Sequence, residues 1–177
     1  AASAPSTTPA AAAAPPYEPT IDVDGSKVLG YVKAGDVDSL SALVDDGVDI
    51  TQLMQMQGMR GFQLKGRNLL HFAAESMQLE MVEYLCKALV SEPNRRFTVD
   101  IEGVDDNGNT PLHISAINSD ELSLLEFVRH GANPSAANAN GMTVFQVVEV
   151  NMGDLFKQEL QQVLDSRPPP VAAAPAP

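Results

Sequence analysis

A short frame recurs along this chain and limits what it can fold into. In Asp105-Asp106-Asn107-Gly108-Asn109-Thr110-Pro111-Leu112-His113-Ile114-Ser115-Ala116, a Gly-centred turn meets a Thr-Pro helix start and runs into small and apolar positions. Thr110 is placed to act as N-cap, accepting a hydrogen bond from an orphan N–H of the first turn. Pro111 then falls at N1, where its missing N–H costs nothing and its fixed φ suits a helix. Thr143 follows Thr110 by 33 residues and is again preceded by an Asx/Gly turn, Asn138-Ala139-Asn140-Gly141-Met142. Val144 to Val148 then supply apolar residues where a core needs them. Upstream, Gly66-Arg67-Asn68-Leu69-Leu70-His71-Phe72-Ala73-Ala74 repeats the frame with Asn68 as cap and His71 in the His position. Ser26-Lys27-Val28-Leu29 opens it once more, with Leu29 replacing the His.

Each frame is followed by a second amphipathic stretch. After Gly35 it is Val37, Leu40, Leu43 and Val44, ending at Gly47; in the next unit it is Leu79, Met81, Val82, Leu85 and Cys86. Then come Leu124, Phe127 and Val128, ending at Gly131, and finally Leu155, Phe156, Leu160, Val163 and Leu164. Spacing of i, i+3 and i+4 puts each set on one helical face. Gly47 and Gly131 stand where a left-handed residue ends a helix. Lys157, Gln158, Glu159, Gln161 and Gln162 give the last helix a polar outer side, as a terminal unit of a stack requires.

The Thr-Pro-Leu-His opening with its second-helix partner resembles the ankyrin repeat, whose T-P-L-H-x-A signature recurs about every 33 residues. The resemblance implies an all-α solenoid of about four stacked helix-turn-helix units joined by hairpin-like loops, with disordered Ala/Pro-rich ends. The expected repeat domain is 21–166, with units near 24–50, 66–104, 105–137 and 138–166. Two departures stand out: Ser26 to Asn68 and Asn68 to Thr110 each span 42 residues. The excess falls within 50–65, which carries Leu53, Met54, Met56, Met59 and Phe62, and within 89–104. Leu89 occupies the place of a helix-ending Gly, so the second helix of that unit is expected to run on. Insertions of this kind are extruded to one face of a solenoid. The methionines have two readings, filling irregular core gaps or serving an adaptable binding surface.

Residues 1–20 and 167–177 are rich in Ala and Pro and cannot bury enough apolar area to offset ordering entropy. They read as linkers or solubilising tails; Arg167 and Pro170 begin an R-x-x-P-x-x-P pattern that Ala173 breaks. The first residue is Ala rather than Met, as in a chain processed or cut from something longer.

Eleven basic against 23 acidic residues give a formal charge of −12. That balance argues against nucleic acid, which needs a basic stripe, and against an anionic membrane surface. It is compatible with a basic protein partner and is also an ordinary route to solubility. Asp36, Asp38, Asp45, Asp46 and Asp49 have the same two readings, a solvated outer face or a contact for basic groups. No apolar run approaches the roughly 20 residues of a membrane span. One cysteine, Cys86, excludes an internal disulfide framework and points to an intracellular, cytoplasmic setting.

Chemistry-bearing residues are few. In ankyrin repeats the T-P-L-H histidine is structural, and His71 and His113 take that role by resemblance. No third group orients a Cys–His pair with Cys86, and His130 beside Gly131 suits a helix C-terminus. Asp105, Asn107 and Asn109 have calcium-loop spacing, but Thr110 and Ala116 stand where Gly and a bidentate Glu are required. No metal, cofactor or catalytic residue is expected.

The resemblance implies a non-enzymatic scaffold, an adaptor or inhibitory subunit, monomeric by itself and binding a protein through its concave face. The alternative is a targeting or regulatory module of a larger effector or enzyme. Family contact positions fall here at the turn tips on Leu64, Lys65, Arg67, Asp106, Asn107, Asn109, Ala139, Asn140 and Met142. On the first helices they fall on Lys33, Phe72, Glu75, Ser76, Ile114, Ile117 and Asn118. Phe72, Ile114 and Ile117 are expected to be exposed apolar anchors.

Overall fold

The computed structural model describes residues 25–50, 66–90 and 99–166. Among these are eight α-helices: α1 (Gly25–Ala34), α2 (Val37–Asp45), α3 (Leu69–Glu75), α4 (Leu79–Leu85), α5 (Pro111–Ile117), α6 (Glu121–Arg129), α7 (Val144–Asn151) and α8 (Asp154–Ser166). A π-helical turn, Cys86–Val90, prolongs α4, in line with the missing terminal Gly.

The helix starts follow from their capping residues. Asn68, Thr110 and Thr143 have extended backbone, and each side chain accepts the N–H of the residue three positions on, His71, His113 or Gln146. The side chain at that third position accepts the cap residue's own N–H, closing a reciprocal capping box. Asp36 and Asp120 cap α2 and α6 through the N–H groups of Ser39 and Ser123. The Ser39 hydroxyl and N–H hold the Asp36 carboxyl below its usual range. Ser26 is not a cap, for it lies inside α1.

Helices α1, α3, α5 and α7 pack side by side in one layer, and α2, α4, α6 and α8 form a second. Each first helix also packs on its own second helix. The core runs unbroken between the layers through Leu40, Leu70, Leu85, Leu112, Phe127 and Leu160. Complete burial of a side chain such as Phe127 stabilises by about 1.5–3 kcal/mol. Leu155 departs from the expected apolar face, being 84% exposed. It is at the first turn of α8, one position before Phe156, and that position faces outward when Phe156 and Leu160 face in.

Lys157 pairs with Glu149 between α8 and α7. Gly47 and Gly131 both adopt positive φ just after their helices. Of the two insertions, 51–65 and 91–98 are outside the described residues, and with them the methionines, Leu64 and Lys65.

Candidate partner-binding groove

The turn tips are built by short-range side-chain chemistry. One Asp105 oxygen accepts the N–H groups of Asn107 and Asn109, each at 2.9 Å. Asn138, 33 residues later, uses its side-chain oxygen in the same way on Asn140 and Met142. Burial alone would raise the Asp105 pKa, but these N–H bonds outweigh it and hold the carboxyl below its usual range. Arg67 places Nε 3.8 Å from Asp105 and donates from its other end to Glu75 at 2.8 Å, tying a tip to a helix end.

Adjacent units are stitched at three levels. His71 uses Nδ1 to accept the Asn68 N–H and Nε2 to donate to the Asn109 carbonyl. His113 repeats this between Thr110 and the Met142 carbonyl. Burial lowers both imidazole pKa values, which favours the neutral ring that each bond pattern requires. At the other end of the first helices, Asn118 donates to Ala74 O and Asn151 to Ala116 O. At the tips, Ala139 N–H donates to Asn107 O at 3.0 Å, and the Asn138 amide donates to the Asn109 side chain at 2.9 Å.

This stitching sorts the expected contact residues. Phe72 and Ile114 are only 5% and 7% exposed, and Asn109 is 8% exposed with its carbonyl, N–H and side chain all bonded. Phe72 and Ile114 are closed to contact, and Asn109 has its polar groups committed to the stitching. Phe72 and Ile114 hold one register, each the fourth residue after its cap, and both belong to the buried core. Lys33, itself exposed, lies over the Phe72 ring at 5.5 Å. Asn118 is half-buried with its amide committed to Ala74. Arg67 and Ser76 are half-buried, and Glu75 is exposed while paired to Arg67.

Seven of the expected residues come together around one concave groove of about 370 Å³: Asp106, Asn107, Asn109, Ile117, Ala139, Asn140 and Met142. Asn138, Val147, Val150 and Asn151 complete its lining. Ile117 is 48% and Val150 76% exposed, two open apolar side chains at equivalent places on α5 and α7. Val150 was missed in sequence although it lies 33 residues after Ile117; extending the contact register to the last unit would have found it. Lys33, Arg67, Phe72, Glu75, Ser76, Ile114 and Asn118 do not line the groove.

The groove offers amides, one carboxylate and an apolar floor. Cys86 is buried elsewhere in the core, and burial pushes its thiol up to about 12, leaving it un-ionised at neutral pH. His71 and His113 have both ring nitrogens engaged in the stitching.

Residues 28–138 match the family model for ankyrin repeats in three copies. The match takes in more than half of the chain, which belongs to the ankyrin-repeat family. The helix pair α7–α8 follows the matched residues and keeps the capping box and the two-layer packing. No curated protein matches the chain. Ankyrin repeats are a protein–protein interaction module, and no helix among the described residues is long and apolar enough to cross a membrane.

Proposed function

We propose that this chain is a non-enzymatic adaptor or regulatory subunit that seats a protein segment in the groove between the tips and α5–α7. The observation that carries this reading is the convergence of Ile117, Val150 and Met142, all exposed, with the rim groups Asp106, Asn107 and Asn140. Apolar side chains that stay open in a folded chain gain by being covered, by about 25 cal/mol for each Å² removed from water. The partner segment is apolar at its centre with a basic group able to meet Asp106, consistent with the net charge of −12. The repeat domain spans 21–166, with 1–20 and 167–177 as tails. The buried thiol and the lack of any other cysteine suit a reducing compartment.

The test is affinity capture with the full chain and with the Ile117→Asp/Val150→Asp variant. The variant should unfold at the wild-type denaturant midpoint while its affinity for the captured partner falls by about 30-fold, the effect of losing hot-spot contacts. Undiminished binding by the folded variant sinks the groove. A salt series separates the two contributions, because a contact through Asp106 weakens as ionic strength rises and the apolar floor does not.

A further inference from the structure

The chain carries two Asn-Gly pairs in matching places, Asn107-Gly108 and Asn140-Gly141, each at an exposed turn tip. Glycine leaves the following backbone nitrogen open to the asparagine side chain, because it has no Cβ to obstruct the approach. Both glycines have positive φ, 72° and 75°, and both glycine N–H groups donate back into their own turn, to Asp105 O at 2.8 Å and Asn138 O at 2.9 Å. Locally the two sites are alike.

They differ in what lies against them. The peptide unit joining Asn107 to Gly108 is held at both ends, since its carbonyl also accepts the Ala139 N–H of the next tip at 3.0 Å. A Cβ built on Gly108 would lie 2.6 Å from the Ala139 nitrogen, so the next tip is pressed against this residue. Among the described residues, the carbonyl of Asn140 accepts no hydrogen bond, and a Cβ on Gly141 meets nothing within 4 Å. One tip is pressed by its neighbour; among the described residues, the other is not.

We infer that Asn140 is a site of spontaneous covalent modification, deamidation to aspartate and isoaspartate, while Asn107 is protected by the tip that follows it. The Gly141 nitrogen attacks Cγ of Asn140, the N–Cγ bond forms, and the side-chain amide leaves as ammonia carrying the proton from the Gly141 N–H. Water then opens the resulting succinimide at either carbonyl, giving Asp or isoAsp. The net reaction is Asn plus water to a carboxylic acid plus ammonia, with no oxidant or cofactor. Attack requires the glycine N–H to leave its turn. At Asn107 this movement also breaks the bond from Ala139, whereas at Asn140 it breaks no bond beyond the turn among the described residues. The product places a new carboxylate on the same rim as Asp106, doubling the charge facing the groove.

The experiment is timed incubation of the full chain at mildly alkaline pH, followed by peptide mapping of both tips for deamidated and isoaspartyl forms. The same incubation in strong denaturant supplies the intrinsic rates of the two Asn-Gly pairs. Relative to that reference, native Asn140 should react about fivefold or more faster than native Asn107, the factor that one additional net hydrogen bond represents. Equal protection of the two sites, or greater protection of Asn140, overturns the inference. A second variant, Ala139→Pro, removes the N–H that holds Asn107. Provided it keeps the helical content and unfolding midpoint of the wild type, it should raise the native Asn107 rate toward that of Asn140; an unchanged Asn107 rate in such a folded variant also overturns it. The outcome is independent of whether the groove binds a partner.

Discussion

His71 donates from Nε2 to the carbonyl oxygen of Asn109, 2.9 Å away and 38 residues further along the chain. The same ring accepts the N–H of Asn68 on Nδ1 at 3.1 Å, so one imidazole both closes a helix cap and fastens its unit to the next. His113 does likewise between Thr110 and Met142. In the last helix pair Gln146 replaces the histidine, keeping the cap bond to Thr143. A glutamine therefore serves the local task alone.

That contrast gives a graded prediction at His113. His113→Gln retains an acceptor for the Thr110 N–H and should cost about 1 kcal/mol, the loss of the inter-unit bond. His113→Ala removes both bonds and empties a fully buried site, and should cost about 3 kcal/mol or more. Equilibrium denaturation of the two variants measures the difference. Equal losses would show that the bond to Met142 carries the whole effect.

The histidines also set a pH dependence. Burial lowers both imidazole pKa values from 6.5, so at a pH somewhat below 6.5 the unfolded chain binds protons that the folded chain refuses. The stability this represents is fully present above 6.5 and is lost as pH falls through the lowered folded values. The denaturant midpoint should hold on the alkaline side and decline on acidification through that window. The His71→Gln/His113→Gln variant should decline less. Asp105 does not obscure the reading, because its carboxyl is held below 3.8 and its contribution is lost only in stronger acid.

Two glycines at matching tips should respond differently to the same change. Gly141→Ala meets open space and should cost about 1–2 kcal/mol, from the left-handed backbone alone. Gly108→Ala has a similar φ, but its Cβ would fall 2.6 Å from the Ala139 nitrogen, a backbone atom that moves only if the next tip moves. Its cost should exceed that of Gly141→Ala by about 1–3 kcal/mol, as overpacking does. Thermal unfolding of the pair provides the comparison; equal shifts would mean that the tips are not pressed together.

Met77 offers a stabilising change. It has φ of 52° at the turn between α3 and α4, where the preceding pair has Gly35 at 72° and the following pair Ser119 at 56°. A left-handed residue with a Cβ is strained by about 1–2 kcal/mol, and glycine returns part of that through its greater unfolded-state freedom, about 0.5–1 kcal/mol. Met77 is exposed, so little burial is lost. Met77→Gly should raise stability by about 0.5–1 kcal/mol, read as a higher denaturant midpoint; a lowered midpoint would show that the methionine makes contacts worth more than the strain.

The repeat frame, the cap residues and the helix ends were legible in the sequence because each depends on neighbours within a few positions. Asn68, Thr110 and Thr143 cap their helices through bonds three residues long, and Gly47 and Gly131 end theirs by backbone conformation alone. Of the contact positions that the family resemblance implied, Asp106, Asn107, Ile117, Ala139, Asn140 and Met142 line one groove. What tertiary structure alone decided is which register positions remain open. Ile114 and Ile117 are chemically identical and three positions apart on one helix, yet the first is buried in the core and the second lines the groove. Asn107 and Asn140 share their local sequence pattern and turn, but among the described residues only Asn107 is held by a following tip. Periodicity assigns each residue a place within its unit; burial and protection depend on the unit stacked beside it.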